Sequence, residues 1–367
     1  MENDKFVTVI DEGVVFSNPD LVFGYSAWPS VAKDENGDLL VVYSGCRIQH
    51  LSPFGKVIMQ RSKDEGKTWS CQSIVIDTPL ETGSTGILAL PGGKIVIGTG
   101  HNSCQLHAEF AENSKYPKVL TNLVKAYLPT VSKEIEEKYI EPALYISNDN
   151  GFSFEAPFKF PATAPHGGAL LKDGSFIYAG YHFPHHPPVI GKQIEVYKSK
   201  DYKNFELLSK VPLNPDAANL FHCEPHIAEL SSGRLVIHMR LQEGNVSHKR
   251  IFTILQSISD DRGKSFSIPQ FTGADGSPPH LMLHSSGTLI STYGRRIPPY
   301  GIQMMLSKDN AETWDTNYFI WNRGIDGDLG YPASIELSNC DIFTVYYAKI
   351  FGQELTSILW TRWRLPI

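Results

Sequence analysis

An eight-residue phrase recurs along this chain and restricts its fold more than any other feature. It reads Ser62-Lys63-Asp64-Glu65-Gly66-Lys67-Thr68-Trp69, in outline Ser-x-Asp-x-Gly-x-Thr/Ser-aromatic. The outline returns at Ser147, Asp149, Gly151, Ser153 and Phe154, and at Ser259, Asp261, Gly263, Ser265 and Phe266. A worn copy runs from Ser307 through Asp309 to Thr313 and Trp314, with Ala311 in the glycine's place. A shortened copy, Ser199-Lys200-Asp201 followed by Phe205, lies between the second and third. Chemically the phrase is a hairpin turn. The Ser and Asp side chains hydrogen-bond nearby backbone N–H groups, glycine supplies a positive φ, and the aromatic anchors the turn beneath a sheet. Repetition of one turn means an array of like units.

A second repeat agrees with the first. A Pro-, Gly- or His-containing lead-in is followed by an apolar strand, a turn and another apolar strand. The instances are Trp28–Tyr43, Gly83–Thr99, Pro165–Tyr181, Pro225–Met239, Pro279–Tyr293 and Tyr331–Tyr347. Turns such as Asn36-Gly37, Gly92-Gly93, Asp173-Gly174, Ser232-Gly233 and Ser286-Gly287 join the pairs, as tight hairpins require. Most of the pairs are followed by a copy of the phrase, which predicts an all-β, six-bladed β-propeller of four-stranded blades spanning residues 1–367 as one domain. Strands near Phe6–Ile10 and Ile358–Trp363 are expected to share a blade, so that closure removes exposed edges. One stretch, 105–140, departs from the pattern. Val119, Leu120, Leu123, Val124, Tyr127 and Leu128 recur at helical spacing, Pro129 interrupts, and Glu134–Lys138 makes a charged second turn. A helical insertion in blade 2 follows, expected to be a packed ornament or subunit contact rather than a lid.

Composition narrows the function. A net charge of −6 leaves no basic surface for nucleic acid. No apolar run is long enough to cross a bilayer as a helix. Met1-Glu2-Asn3-Asp4-Lys5 lacks an apolar signal segment, so a cytoplasmic location is expected. The five cysteines, Cys46, Cys71, Cys104, Cys223 and Cys340, show no metal-ligand spacing and are expected to be buried, reduced thiols.

Inner strands of a propeller run along its axis, so equivalent ends of all blades meet at one mouth. After the second strands come Arg47, His101, His182, Arg240, Arg295 with Arg296, and Tyr347. Before the first strands come Tyr25, His166, Glu224 with His226, His280, and Asp328 with Tyr331. Such a concentration of functional groups favours a ligand site over an ordinary loop rim.

Over most of its length the chain resembles the sialidase superfamily of BNR-repeat propellers, whose Asp boxes match the repeated phrase. In that family these boxes are structural turns on the outside of the blades, so Asp64, Asp149, Asp261 and Asp309 are not expected to be catalytic. Glu224, sixteen residues before Arg240, resembles the family's blade-4 pair of a glutamate and a carboxylate-binding arginine. Arg296, eleven residues before the last box, falls where the next such arginine is expected, with Arg295 an open alternative. Tyr331 in Gly330-Tyr331-Pro332 matches the sixth-blade nucleophile. A sialoside carries its carboxylate on the anomeric carbon, so an anionic nucleophile meets repulsion. A neutral phenol deprotonated by an adjacent glutamate avoids it. The resemblance therefore implies an exo-glycosidase for a terminal acidic sugar, sialic acid or a related nonulosonic acid, with a glycan substrate and no cofactor.

Two departures stand out. Where the family opens blade 1 with Arg-Ile-Pro, this chain has Ala27-Trp28-Pro29, so one carboxylate-binding arginine is missing and Arg47 is the candidate substitute. The loop Gly45–Pro53, where the family keeps its acid/base aspartate, has no carboxylate. His50 is its one group suited to proton transfer near neutrality, with Asp328 next in line. The trio His166, His226 and His280 is expected to shape the pocket or cap backbone groups, with a facial metal site as the alternative. Glycoside hydrolysis of another sugar, glycan binding without catalysis, and histidine–metal polysaccharide lysis all remain open at this point.

Overall fold

A computed structural model describes residues 4–113, 117–182, 191–242 and 252–366. The chain forms six antiparallel four-stranded sheets arranged as blades around one axis. Blade 1 is Tyr25–Lys33, Leu39–Arg47, Lys56–Ser62 and Ser73–Ile76; blade 2 is Gly83–Leu90, Lys94–Gly100, Ala143–Ser147 and Phe158–Lys159. Blade 3 is Ala169–Leu170, Phe176–Gly180, Glu195–Ser199 and Glu206–Lys210; blade 4 is Phe221–Glu229, Leu235–Gln242, Phe252–Ser259 and Gln270–Asp275. Blade 5 is His280–Leu283, Leu289–Arg295, Gly301–Ser307 and Asp315–Trp321. Blade 6 takes Gly330–Glu336, Ile342–Lys349 and Thr356–Arg364 from the end of the chain. Its outermost strand, Thr8–Phe16, comes from the beginning and pairs antiparallel with Thr356–Arg364. Just before it, Lys5–Phe6 adds in parallel to the edge of blade 5. The first residues described thus tie two neighbouring blades together and close the ring.

Every copy of the repeated phrase joins the third strand of a blade to the fourth. The hydrogen bonds recur with it. Asp64, Asp149, Asp261 and Asp309 accept from the backbone N–H of Thr68, Ser153, Ser265 and Thr313 at 2.8–3.0 Å. Ser62, Ser147 and Ser259 each accept at 2.8 Å from the glycine N–H. The glycines are left-handed, at φ 94, 84 and 85 for Gly66, Gly151 and Gly263. Ala311 is held at φ 66 in the worn copy, the strained conformation that glycine adopts at no cost.

In three of the copies the aromatic that closes the phrase reaches the preceding blade rather than simply underlying its own. Trp69 of blade 1 meets Phe343 of blade 6, with ring centroids 6.2 Å apart. Phe205 of blade 3 meets Phe160 of blade 2 at 4.9 Å, and Trp314 of blade 5 meets His238 of blade 4 at 4.7 Å. Apolar clusters accordingly lie between blades, as in the set of Val31, Val41, Tyr43, Phe343, Val345 and Trp360 between blades 1 and 6. Near the axis blades 2 and 3 approach so closely that a Cβ on Gly86 would lie 2.0 Å from the Gly167 nitrogen.

The insertion leaves blade 2 between its second and third strands as three helices, Cys104–Asn113, Lys118–Tyr127 and Lys133–Tyr139. Residues 114–116 lie outside the described residues. The helical periodicity marks the second helix, yet its apolar face is only partly covered: Val124 is buried while Val119 and Leu123 are exposed. Of the five thiols only Cys223 is buried, and Cys71 and Cys340 are exposed, against the expectation for all five. No helix among the described residues is long and apolar enough to cross a membrane.

Candidate functional site

Three blades open their inner strands with the same distortion. Trp28, Glu224 and Tyr331 have left-handed φ values of 54, 48 and 48, and each precedes a proline. The pairing register slips at all three, between Ala27 and Ser30, Cys223 and His226, and Gly330 and Ala333. Such a bulge re-aims a side chain that regular pleating would send elsewhere. Positive φ in a bulky residue costs on the order of 1–3 kcal/mol, and here three blades carry that cost at equivalent positions. The three side chains converge near the axis. Trp28 and Tyr331 have ring centroids 6.3 Å apart, and the Tyr331 hydroxyl donates a hydrogen bond to the Glu224 carboxylate.

Arg240, from the second strand of blade 4, braces this pair. Its guanidinium donates to the other Glu224 oxygen at 2.6 Å, to the Tyr331 oxygen at 3.4 Å and to Gln242 at 2.6 Å. Its planar face lies over Phe252, 4.8 Å from the centroid. Burial and the Glu224 charge push the Tyr331 phenol well above its ordinary pKa, outweighing the pull of Arg240 and Arg296. The phenol is therefore neutral near pH 7.

The two adjacent arginines of blade 5 go different ways. Arg296 lies over the Tyr331 ring at 5.5 Å and over Phe252 at 5.8 Å. Its Nε and one terminal nitrogen are buried without a hydrogen-bond partner among the described residues. Arg295 donates to the Pro298 carbonyl at 3.3 Å and faces Tyr293. Alternation along extended backbone turns it away from Tyr331. Of the two alternatives, Arg296 is the one beside Tyr331.

Asp328 sits at the rim with Tyr25, Tyr347 and His50. It accepts from the Tyr25 hydroxyl at 3.0 Å and the Tyr347 hydroxyl at 3.3 Å, and lies 3.3 Å from His50 Nδ1. Burial raises its carboxyl, but His50, Tyr25 and Arg296 together hold it down at about 2. It is anionic at neutral pH and unsuited to donating a proton. The Tyr25 hydroxyl also meets His50 Nδ1 at 2.9 Å, so Nδ1 is engaged and Nε2 is left for a ligand. With 41% of its side chain accessible, His50 is open to solvent. The edge of Trp28, 5.1 Å away by centroids, separates it from Tyr331.

His166, His226 and His280 form the floor. All three are buried, with His226 and His280 stacked at 4.4 Å and His166 lying 6.2 Å from Tyr331. His226 Nδ1 accepts from the Leu281 N–H at 2.9 Å and His280 Nδ1 from the Ser334 N–H at 3.3 Å, so these two cap backbone donors of the next blade. Burial lowers all three, His226 to about 3, and keeps them neutral. Among the described residues no three or more His, Cys, Asp or Glu side chains are placed to hold a metal ion.

Arg47 is not at the mouth. Its side chain is completely buried, ion-paired with Glu81, donating to Ser44 at 3.0 Å and to the His50 carbonyl, with Trp28 over it at 4.3 Å. A guanidinium so enclosed cannot take over the missing blade-1 arginine. Trp28, by contrast, lies in the site, though its sequence context drew notice only for the arginine it lacks. The shared x-Pro step of Trp28-Pro29, Glu224-Pro225 and Tyr331-Pro332 is the signal that marks it.

No family model and no curated protein matches the sequence. Among solved structures, a protein of unknown function from Dyadobacter fermentans aligns with 98% of this chain and 99% of its own at TM-score 0.78 and 18% identity. The NanB sialidase from Streptococcus pneumoniae aligns with 96% of this chain and 70% of its own at TM-score 0.66 and 13% identity. An alpha-L-arabinanase from Penicillium chrysogenum, complexed with arabinobiose, covers 97% and 98% at TM-score 0.65 and 17% identity. At such identities the likeness is one of fold: this chain has the six-bladed propeller on which that sialidase and that arabinanase are built.

Proposed function

We propose that this protein is an exo-acting glycosidase that removes a terminal acidic sugar, a sialic acid or related nonulosonic acid, from a glycan. The observation that carries it is the contact of a neutral phenol, Tyr331, with a carboxylate, Glu224, beside an arginine, Arg296, whose Nε and one terminal nitrogen have no hydrogen-bond partner among the described residues. A carboxylate bound at Arg296 lies against the face of the nucleophile's ring. There it would oppose an anionic nucleophile and tolerate a neutral one. Arg240 is held by Glu224 and Gln242, so its part in binding is shared with bracing Glu224.

In the forward step the Tyr331 oxygen attacks the anomeric carbon and its proton passes to Glu224. The glycosidic bond breaks as His50, oriented by Asp328 and Tyr25, protonates the leaving oxygen. Water then attacks the glycosyl–tyrosine, His50 takes the water's proton, and Glu224 returns its proton to the phenolate. The neutral histidine floor adds no charge beneath the reacting atoms.

Turnover of a fluorogenic sialoside, set against matched arabinoside and galactoside substrates, tests the proposal. Release of fluorophore from the acidic sugar, with little from the neutral ones, is expected. Preference for a neutral sugar would transfer the same machinery to a different substrate, and binding without turnover of any of them would make this a glycan-binding propeller.

A further inference from the structure

We propose that Arg47 is a positioning residue for His50 and Trp28, and that the helical insertion of blade 2 fixes it in place through Glu81. The proposal rests on His50 being the proton donor.

Arg47 is buried between groups of the site, Trp28 and the His50 backbone, and Glu81, which the insertion contacts in turn. Its guanidinium donates to the main-chain carbonyl of His50, so it holds the backbone from which the imidazole projects. The same planar group covers one face of Trp28, whose edge in turn abuts the His50 ring. One cation therefore sets Trp28, which packs beside Tyr331, and the His50 loop against Trp28, without touching substrate. Gly55 makes room for it, since a Cβ there would lie 2.4 Å from an Arg47 terminal nitrogen.

The charge opposite Arg47 is fixed by groups from the insertion and its lead-in. One Glu81 oxygen pairs with Arg47 and the other is shared by Asn102 at 2.5 Å and His107 Nε2 at 3.3 Å. His107 lies on the first inserted helix, Cys104–Asn113, and is buried. Burial acts to raise the Glu81 carboxyl, but Arg47, His107 and Asn102 prevail and keep it ionised. A second contact repeats the connection in apolar form. Ile48, two residues before His50, packs with Ala111 and Val124 of the first two inserted helices, and Phe54 meets Tyr127 at 4.9 Å. The Tyr127 hydroxyl donates to the Pro79 carbonyl at 2.8 Å, fastening the insertion next to Glu81. The loop that bears the proton donor is thus gripped from beneath by a buried ion pair and from the side by the helices. A blade-1 loop with no such support would leave a solvent-exposed histidine free to wander, and a misplacement of about 1 Å can cost a hundredfold in rate.

The test uses the full chain with carbon-13-labelled histidine, the His50 ring signal being assigned by its loss in His50→Ala. Arg47→Lys keeps the charge opposite Glu81 but cannot both reach the His50 carbonyl and cover the indole. In that variant the His50 signal is expected to move as its contacts with Tyr25, Asp328 and Trp28 change. His107→Leu, at the far end of the chain of contacts, should move the same signal in the same direction, and His107→Gln, which can still bond Glu81, should restore it. On substrates with poor leaving groups kcat should fall roughly tenfold to a hundredfold in Arg47→Lys, with KM unchanged. An unmoved His50 signal in folded Arg47→Lys would overturn the proposal. A response to Arg47→Lys without one to His107→Leu would overturn the part given to the insertion. If Arg47→Lys does not fold, the two His107 variants decide alone. Absence of sialoside turnover by the wild type would defeat the functional assignment while leaving the resonance comparison to decide this one.

Discussion

Tyr331 keeps its proton while donating a hydrogen bond to the Glu224 carboxylate. Burial and the charge of Glu224 raise the phenol, and in the proposed reaction Arg240 and Arg296, which pull it down, would stabilise the phenolate. Tyr331→Phe removes only the oxygen from a ring already packed against Trp28, His166 and Tyr347, so the fold should survive. Its kcat should fall at least a hundredfold, about 3 kcal/mol in barrier, measured by steady-state turnover with thermal unfolding as the control. Asp328→Asn makes a different prediction. Asp328 lies 3.3 Å from His50 Nδ1 and accepts from the Tyr25 hydroxyl, so the amide weakens the contacts that orient the imidazole. Turnover of substrates with poor leaving groups should fall roughly tenfold, with aryl glycosides less affected; an equal loss on both would separate His50 from proton donation. Glu224, Arg240 and Tyr331 were legible in the sequence because order and spacing survive when identity is low. The choice between Arg295 and Arg296 was not, because it turns on where regular alternation ends. Arg47 occupies a mouth position in sequence and none in space, because its partner Glu81 is supplied by another blade and leaves no local mark.

At the scale of the element, the recurring turn was legible down to its hydrogen bonds, since Ser, Asp and Gly at fixed spacing admit few other geometries. What was not legible is where its aromatic goes, because the preceding blade is a tertiary neighbour. The aspartates of these turns make an acid-stability prediction. Asp64, Asp149, Asp261 and Asp309 are each held at about 2, first by the hydroxyl of the Thr or Ser four residues on, below the roughly 3.9 of an unfolded chain. Their folded pKa values are depressed, so their contribution is fully present above about pH 4 and is lost as pH falls toward 2. The thermal midpoint should be flat above that range and decline through it. Asp261→Asn should lessen the decline, and a midpoint with the same pH dependence in the variant would show that the turns do not carry it. The insertion was legible as helical from its spacing. Its contact with the His50 loop was not, because Ile48, Ala111 and Val124 meet only in three dimensions.

The whole molecule is a ring, and the ring is what brings Glu224 of blade 4 to Tyr331 of blade 6. Sequence repeats set the number of blades, and the expected sharing of the last blade by both ends of the chain is what Thr8–Phe16 and Thr356–Arg364 do. Deleting residues 1–16 leaves Thr356–Arg364 as an open edge and removes the tie to blade 5. The shortened chain should unfold at lower temperature and less cooperatively, and should self-associate, as followed by calorimetry and light scattering; an unchanged transition would mean that the ring closes without its outer strand. The proposed chemistry depends on that closure, because Tyr331 and Glu224 belong to blades that only the closed ring holds in register. Intact-mass and peptide mapping of the wild type, acid-quenched during turnover of a sialoside, examines the chemistry itself. Nucleophilic catalysis by Tyr331 predicts a single-sugar adduct on the peptide containing Tyr331 that is missing in Tyr331→Phe; an adduct on Glu224, or turnover that Tyr331→Phe leaves intact, would contradict it.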